Sequence, residues 1–333
     1  MRRPYSRLAA LVLAVLALVV SGCGSGGGSG GDGIRLGYFL NLTHAVPIVG
    51  LDKGLYAKEL PGVTISTRQF LAGPEAVTAM LAGSLDASYL GAGPVITAAS
   101  RAPGRLLIVA GANDAGAILV ARAGSGISSV ADLDGKSVAF PGYGNTQDLA
   151  LRLVLEQAGL TPTDRGGTVR LVKIRNADIA TGLQRGQLDA AMLPEPWGTQ
   201  MIANGDASLL LDADQILGGA YPTTVLVVTG ELARTRPGVV RALVRANCAA
   251  VKLVKRRPGL VVDEFQSLIK GVQGKATSRD TIVASEARLR PTTTVDRRGM
   301  DLLIGAAKRA GYLDGKVSFD DIVAPSATAP CTP

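Results

Sequence analysis

Two similar stretches of the chain lie 103 positions apart: residues 83–90 are GSLDASYL, and residues 186–193 are GQLDAAML. Each begins at a glycine that ends a predicted helix and continues into a short apolar run typical of a buried strand. Asp86 in the first copy and Asp189 in the second are expected to hold the turn between helix and strand. This internal repeat predicts equivalent positions in two similar lobes.

The sequence around the repeat alternates short apolar strands with amphipathic helices from residue 34 onward, for example a predicted helix over residues 45–60. Such alternation predicts an α/β fold in which each lobe is a mostly parallel sheet flanked by helices. We assign residues 34–118 and 224–333 to lobe 1 and residues 119–223 to lobe 2. A ligand cleft is expected at the carboxyl ends of the strands.

The first 33 residues have the composition of a lipoprotein leader. Three Arg precede an apolar run over residues 8–20, which is shorter than the roughly 20 residues of a membrane span. The pattern is typical of a secretory signal peptide over residues 1–22. Residues 20–23, VSGC, resemble the bacterial lipobox and imply a lipidated Cys23, although an ordinary signal peptide with a chance Cys is the alternative. Residues 23–33 then form a Gly/Ser-rich tether that holds an extracytoplasmic protein at the membrane.

The composition of the chain excludes several classes of protein. Its 333 residues, 47% apolar and 19% charged, suffice for two domains and are too apolar for a mainly disordered protein. Three Cys and a single His, without metal-ligand spacing, predict no metal, no cofactor and no His-based catalysis. The formal net charge is +8, but the basic residues form no aromatic-interleaved stripe, so no nucleic-acid partner is expected.

Two cysteines remain after Cys23. In an oxidising compartment Cys248 and Cys331 can form one disulfide that holds the C-terminal tail against a predicted helix near residues 237–255. The alternative is a pair of free thiols, one buried and one on the tail. The sequence leaves both arrangements open.

Three further segments carry a resemblance to a known family. They are residues 36–45, LGYFLNLTHA, residues 142–148, GYGNTQD, and residues 194–197, PEPW. In this order they resemble the solute-binding proteins of ABC importers for aliphatic sulfonates, nitrate and taurine, which share a superfamily with thiamine-precursor binding proteins. The resemblance spans nearly all of residues 34–313. It implies a two-lobed periplasmic-binding-protein fold of type II that closes on its ligand, with a membrane permease and its ATPase as partners. We expect a monomer that is not an enzyme.

The predicted cleft loops offer the donors that a small anion needs, because most of them follow a strand and open a helix, whose unpaired N–H groups carry partial positive charge. We predict ligand contacts from Asn41, Thr43, His44, Gly91, Ala92, Gly93, Asn145, Thr146, Gln147, Glu195 and Trp197. Alternatively, Asn145 or Thr146 caps a helix in a capping-box-like pair with Asp148, and Trp197 only packs in the core. Glu195 either favours a helix dipole or receives a ligand ammonium group.

These residues predict a receptor for a small organic anion, with an aliphatic sulfonate as the first choice. Nitrate, taurine and a pyrimidine thiamine precursor are the alternatives. An enzyme is a different class: thiamine-pyrimidine synthases resemble this superfamily and consume an active-site His, which here can only be His44. The leader and the lack of a Cys-rich iron motif argue against that enzyme. A lipoprotein that senses or adheres is a third hypothesis.

Overall fold

Two β-sheets organise the part of the chain that the computed structural model describes, residues 33–273, 277–328 and 331. The predicted signal peptide, Cys23 and the tether up to residue 32 lie outside the described residues. Within the described part, no helix combines the length and the hydropathy that crossing a membrane requires.

The first sheet is built from β1 (Gly33–Phe39), β2 (Thr64–Phe70), β3 (Ala87–Leu90), β4 (Leu106–Ala115), β10 (Pro222–Thr229) and β11 (Leu289–Pro291). Its spatial order is β11-β4-β10-β3-β1-β2. Buried apolar side chains form two clusters against this sheet, one that includes Leu36 and Tyr89 and another that includes Ile108 and Val225. The strands are therefore held by helices on both faces, as an α/β sheet requires.

The second sheet is built from β5 (Ala117–Arg122), β6 (Ser137–Phe140), β7 (Arg170–Lys173), β8 (Ala190–Pro194) and β9 (Ala207–Leu211). Its order is β7-β6-β8-β5-β9. A separate apolar cluster, which includes Val120, Phe140 and Leu193, packs around this sheet. Each sheet thus has a core of its own.

Both sheets are mixed, so the prediction of mostly parallel sheets was wrong in this respect. β1 pairs parallel with β3, and β6 pairs parallel with β7 and β8, but β10 and β5 each run antiparallel to both of their neighbours. The reason is the crossing of the chain between sheets. β4 leads through Gly116 directly into β5, and the chain returns after β9 into β10. A strand that enters a sheet from the edge where the parallel strands end must run against them.

These crossings lie close to the predicted lobe boundaries. The first residue of β5 is Ala117, and the first residue of β10 is Pro222, so each change of sheet falls two residues before the predicted boundary. The division into lobes over residues 34–118, 224–333 and 119–223 remains a prediction about which parts move together.

The helices of the described residues are α1 (Ala45–Asp52), α2 (Leu55–Glu59), α3 (Gly73–Leu81), α4 (Ala92–Ala99), α5 (Thr146–Gln157), α6 (Asn176–Gln184), α7 (Trp197–Ala203), α8 (Gly230–Thr235), α9 (Pro237–Arg256), α10 (Pro258–Gln273), α11 (Arg279–Glu286), α12 (Arg297–Arg309) and α13 (Phe319–Ile322). The single helix predicted over residues 45–60 is in fact α1 and α2. Between them Gly54 has a φ of 65°, a left-handed conformation that glycine adopts without a steric penalty and that ends a helix.

The repeated stretches occupy equivalent positions in the two sheets. Asp86 accepts a hydrogen bond from the backbone N–H of Arg35 (2.8 Å), and Asp189 accepts one from the backbone N–H of Ser137 (2.9 Å). Each aspartate therefore ties the start of its strand to the parallel neighbour, β1 in one sheet and β6 in the other. This confirms the structural role predicted for both aspartates.

A disulfide joins Cys248 of α9 to Cys331, with a Cα–Cα distance of 6.0 Å. The bond closes a loop with a sequence separation of 83 residues. A cross-link over a loop of this length stabilises a protein by about 4–5 kcal/mol in the chain-entropy treatment.

Candidate functional site

A narrow pocket lies where the loops after β1, β2, β3, β6 and β7 converge, and we call it the cleft pocket. Its lining consists of Phe39, Asn41, Thr43, His44, Leu71, Ala72, Gly73, Gly91, Pro94, Pro141, Asn145, Thr146, Gln147, Asn176, Pro194 and Thr223. The free volume is about 30 Å³. Both sheets contribute, so the pocket lies at the carboxyl ends of strands from each of them, as predicted for an α/β cleft.

The cleft pocket is polar but carries no formal charge, since none of its lining residues is Asp, Glu, Lys or Arg. Four helices direct their N-termini at it: α3 through Gly73, α4 through Gly91, α5 through Asn145 and Thr146, and α6 through Asn176. Each helix has at least eight residues, so each end carries roughly half a positive charge together with unpaired N–H groups. The pocket therefore has a positive potential made from neutral groups.

The two sheets touch closely at the N-termini of α4 and α5. The Gly93 N–H donates to Thr146 Oγ1 over 3.1 Å, and both groups are buried. A Cβ on Gly93 would lie 2.7 Å from the Asn145 carbonyl carbon, the Gly144 oxygen and the Thr146 nitrogen. A Cβ on Gly91 would lie 2.4 Å from Thr146 Oγ1. Glycine is required at position 93, because backbone atoms of residues 144–146 occupy the space of a side chain, whereas at position 91 a Cβ would displace the Thr146 hydroxyl.

His44 is buried in the wall of the pocket and is uncharged. Only 2% of the residue is exposed, and its Nδ1 accepts a hydrogen bond from the Phe39 N–H over 3.4 Å. The Phe39 ring lies beside it, with a centroid distance of 4.6 Å. Burial lowers the pKa of His44 to about 3, so the imidazole is neutral at physiological pH. It offers a polar edge to a ligand, not a charge.

Asn145 stands at the N-cap position of α5, but its side chain makes no capping hydrogen bond. Capping by this side chain was therefore predicted wrongly. Asp148 accepts a hydrogen bond from the N–H of Gly144 (2.8 Å) instead of completing a capping box. The Asn145 amide, 5% exposed, lies in the pocket wall, and its Oδ1 has no hydrogen-bond partner.

Asp148 links the start of α5 to Tyr312, which follows α12. Tyr312 donates to it over 2.7 Å, and Arg152 donates through Nε over 2.8 Å. Burial raises the pKa of Asp148 in spite of these donors. The network holds the end of α5 that faces the cleft pocket in a fixed orientation.

Glu195 lies outside the pocket lining, in a buried network that joins the two sheets. Its carboxylate accepts hydrogen bonds from Thr199 Oγ1 (2.7 Å) and from Ser285 Oγ (3.1 Å). Arg288 lies 3.4 Å away and also contacts Asp212 at 2.7 Å. Burial raises the pKa of Glu195, because a carboxylate without water around it favours its neutral form.

The predicted site residues thus separate into two sets. The structure brings together Asn41, Thr43, His44, Gly91, Asn145, Thr146 and Gln147 in the cleft pocket. Ala92, Gly93, Glu195 and Trp197 are not part of its lining. Trp197 nevertheless contacts a lining residue, since its Nε1 donates to Asn41 Oδ1 over 3.0 Å.

Sequence reasoning missed several lining residues, among them Leu71, Gly73, Asn176 and Thr223. Asn176 follows β7 and is the first residue of α6, so the rule that selected Asn145 would also have selected it. Its Oδ1 is buried without a partner, like that of Asn145. Leu71 is 74% exposed and lies at the rim, where the sequence pattern carries no signal.

Comparisons with known proteins agree with this geometry. The NMT1-like family matches residues 28–260 of the chain. A Brucella abortus protein named only as a binding protein is 30% identical over 240 residues, which is 71% of this chain and 72% of the relative. The taurine-binding periplasmic protein of Escherichia coli is 30% identical over 218 residues, 65% of this chain and 65% of its own.

Solved structures show the same fold. The alkanesulfonate-binding protein of Xanthomonas axonopodis, solved with MOPS bound, superposes with a TM-score of 0.76 at 20% identity, covering 88% of this chain and 98% of its own. The nitrate-binding protein of a Synechocystis strain superposes with a TM-score of 0.71 at 17% identity, over 88% and 86% of the two chains. The predicted α/β, two-lobed periplasmic-binding-protein fold is confirmed.

Proposed function

Because the chain belongs to the NMT1-like family, we propose that it is the extracytoplasmic solute-binding component of an ABC importer and captures a small organic anion. An aliphatic sulfonate is the ligand class that we favour. The observation that carries the proposal is the convergence of four helix N-termini on a cleft pocket without charged side chains.

A sulfonate suits this pocket because it keeps its negative charge at any physiological pH and accepts several hydrogen bonds. Helix N-termini supply N–H donors and positive potential without a buried Lys or Arg, whose desolvation would be costly. The side-chain amides of Asn145 and Asn176 have no protein partner for their oxygens. Turned by half a rotation, each amide presents two N–H donors from the same position. A ligand anion then satisfies groups that the protein leaves unpaired.

The position of the Glu195 carboxylate favours a sulfonate without an amino group over taurine. Its carboxylate accepts hydrogen bonds from Thr199 and Ser285 and is absent from the pocket lining. A ligand ammonium group would therefore meet no carboxylate in the cleft pocket. This supports a sulfonate without an amino group over a zwitterion.

The ligand enters, in this proposal, when the two predicted lobes move apart. A free volume of about 30 Å³ holds little more than one water molecule, whereas small-molecule pockets usually span roughly 300 Å³ or more. The hydrogen bond between Gly93 and Thr146 and that between Trp197 and Asn41 both cross between the sheets. They close over the ligand and break when it leaves, as in hinge-bending proteins.

Cys23 is proposed as the lipid anchor, with a permease and its ATPase as the partners that receive the ligand. The relatives are named as binding proteins, which supports a receptor that does no chemistry. Mass spectrometry of the N-terminal peptide from membranes tests the anchor. We expect a diacylglyceryl mass on Cys23, and release of Cys23→Ala from the membrane fraction. An unmodified Cys23 in the membrane-bound protein would refute it.

Titration with ethanesulfonate, nitrate and taurine, followed by calorimetry and by the fluorescence of the single Trp197, tests the ligand class. Ethanesulfonate should saturate the protein at the lowest concentration, and the Trp197 signal should change because its indole contacts pocket residue Asn41. No saturable response to ethanesulfonate would overturn the sulfonate assignment.

A matched pair of variants on α5 shows whether the charge of the pocket matters. Gln147→Glu places a negative charge in the pocket lining, while Gln157→Glu places the same charge at the exposed end of the same helix. We expect Gln147→Glu to weaken ethanesulfonate binding about a hundredfold or more through repulsion, and Gln157→Glu to leave it nearly unchanged. Equal affinities of the two variants would speak against an anion in this pocket.

A further inference from the structure

A second concave surface begins beside the cleft pocket and runs between α6 and α7; we call it the α6–α7 groove. It is lined by Asn176, Ala177, Ala180, Trp197, Gln200, Met201 and Asn204 and encloses about 380 Å³. None of these residues is charged. Ala177, Ala180, Trp197 and Met201 give it an apolar floor, and the amides of the other three form a polar border.

The groove adjoins the cleft pocket, and two residues connect their walls. Asn176 lines both cavities, and its buried Oδ1 lacks a protein partner at their junction. Trp197 forms a wall of the groove and donates through Nε1 to Asn41, which lines the pocket. Both residues start their helices, so the groove begins at the cleft and extends along the helices away from it.

The dimensions of the groove fit a chain-like group. From Trp197 to Asn204 the helix axis advances on the order of 10 Å, at about 1.5 Å per residue. An unbranched alkyl chain or a single aromatic ring is compatible with such a length and with walls made of Ala, Met and Trp side chains. The head of a ligand held by the helix N-termini of the cleft pocket would place its substituent at Asn176, where the groove starts.

We propose that the α6–α7 groove binds the apolar tail of an anion whose sulfonate head occupies the cleft pocket, so that medium-chain alkanesulfonates and arylsulfonates are preferred over short ones. This inference rests on the function proposed above. Asn176 is the residue at which head and tail meet, and Ala177, Ala180 and Met201 determine which tails fit. The favourable free energy comes from removing the tail from water.

Calorimetric titration of the purified chain with ethanesulfonate and with octanesulfonate tests the inference. The affinity for octanesulfonate should exceed that for ethanesulfonate by at least about a hundredfold, since octanesulfonate has six more methylenes and each one that leaves water fully contributes roughly a fourfold gain. Ala180→Leu fills the groove and should remove most of that gain while leaving ethanesulfonate binding unchanged. Ala57→Leu, on an exposed face of α2, is the matched control and should change neither affinity.

A second variant tests the groove independently, in case Ala180→Leu has a folding defect. Ala177→Leu narrows the same groove from an exposed position and should give the same selective loss, with thermal unfolding like that of the unaltered chain. If ethanesulfonate binds but octanesulfonate binds no better, or if the groove variants weaken both ligands equally, the inference is overturned and the proposed function stands. If neither sulfonate binds, the proposed function fails, and the inference fails with it.

Discussion

The loops after β3 and after β8 follow strands that begin at equivalent turns, but they contribute different groups to the space between the sheets. After β3 the chain continues as Gly91-Ala92-Gly93, with no polar side chain, and its backbone contacts Thr146 directly. After β8 the loop carries Glu195, whose buried carboxylate is surrounded by Thr199, Ser285 and Arg288.

This difference shows that the same helix–turn–strand unit can lead either to a ligand-binding loop or to a loop that connects the two sheets. The turn held by Asp86 or Asp189 is common to both sheets and sets where the strand before each loop begins. The loop after β3 contains only glycine and alanine, so the N-terminus of α4 can approach the pocket closely. The second loop places a charge beside the pocket and fastens one sheet to the other. Binding chemistry and attachment of the sheets are thus separated between loops that start alike.

Among changes at these two loops, the largest effect is expected from a single methyl group on Gly93, in the first turn of α4. Gly93→Ala places a Cβ against the backbone of residues 144–146, which prevents the sheets from closing but leaves each core intact. Ethanesulfonate affinity should fall roughly a hundredfold, because affinity scales with the fraction of molecules that can close. Gly259→Ala on α10, where a Cβ meets no atom within 4 Å, is the control. Calorimetry that finds unchanged binding in Gly93→Ala would contradict the close approach.

A smaller effect, on stability, is expected from the second loop. Glu195→Ala leaves Thr199, Ser285 and Arg288 without their shared acceptor in a buried place, and should lower the free energy of unfolding by about 2–3 kcal/mol. Urea denaturation measures the loss. Asp212→Ala removes the more exposed partner of Arg288 and should lower the free energy of unfolding by less than about 1 kcal/mol. Similar losses in the two variants would mean that burial of Glu195 is unimportant.

Removing the aspartate from either of the two equivalent turns should have a similar effect on stability. Asp86→Ala and Asp189→Ala each remove an acceptor for a backbone N–H at the start of a parallel strand, and each should lower the free energy of unfolding by about 1 kcal/mol. Asp86 also accepts two hydrogen bonds from the Arg35 side chain, so its loss should be slightly larger. A loss confined to one variant would show that the repeat is equivalent in sequence but not in energy.

The smallest effect is expected from a change of pH on ethanesulfonate affinity. His44 is a base whose pKa burial lowers to about 3, so it stays neutral throughout the range from about pH 5 to pH 8, and the sulfonate charge does not change there either. Ethanesulfonate affinity should therefore vary by less than about twofold across that range. A rise in affinity as the pH falls through about 6.5 would show a protonated His44 and contradict its burial.

The alternation of strands and helices and the recurring aspartates predicted the two-sheet fold because both depend on local sequence. Asn145, Thr146 and the loop at Asn41 were predicted to meet since they follow strands. Two partners of Glu195 could not be predicted from local sequence: Ser285 and Arg288 lie 90 or more residues away, and no local pattern links them to Glu195. The antiparallel direction of β5 and β10 was not predicted, because an apolar run indicates a buried strand but not the direction in which the strand runs in its sheet.

The small volume of the cleft pocket has a consequence for the speed of capture. If the lobes open and close as proposed, a ligand larger than a water molecule reaches the helix ends only when the contact between Gly93 and Thr146 is broken. In that proposal the association rate constant is the diffusional value multiplied by the open fraction. A mutation at the contact between Gly93 and Thr146 then changes the association rate constant as well as the dissociation rate constant.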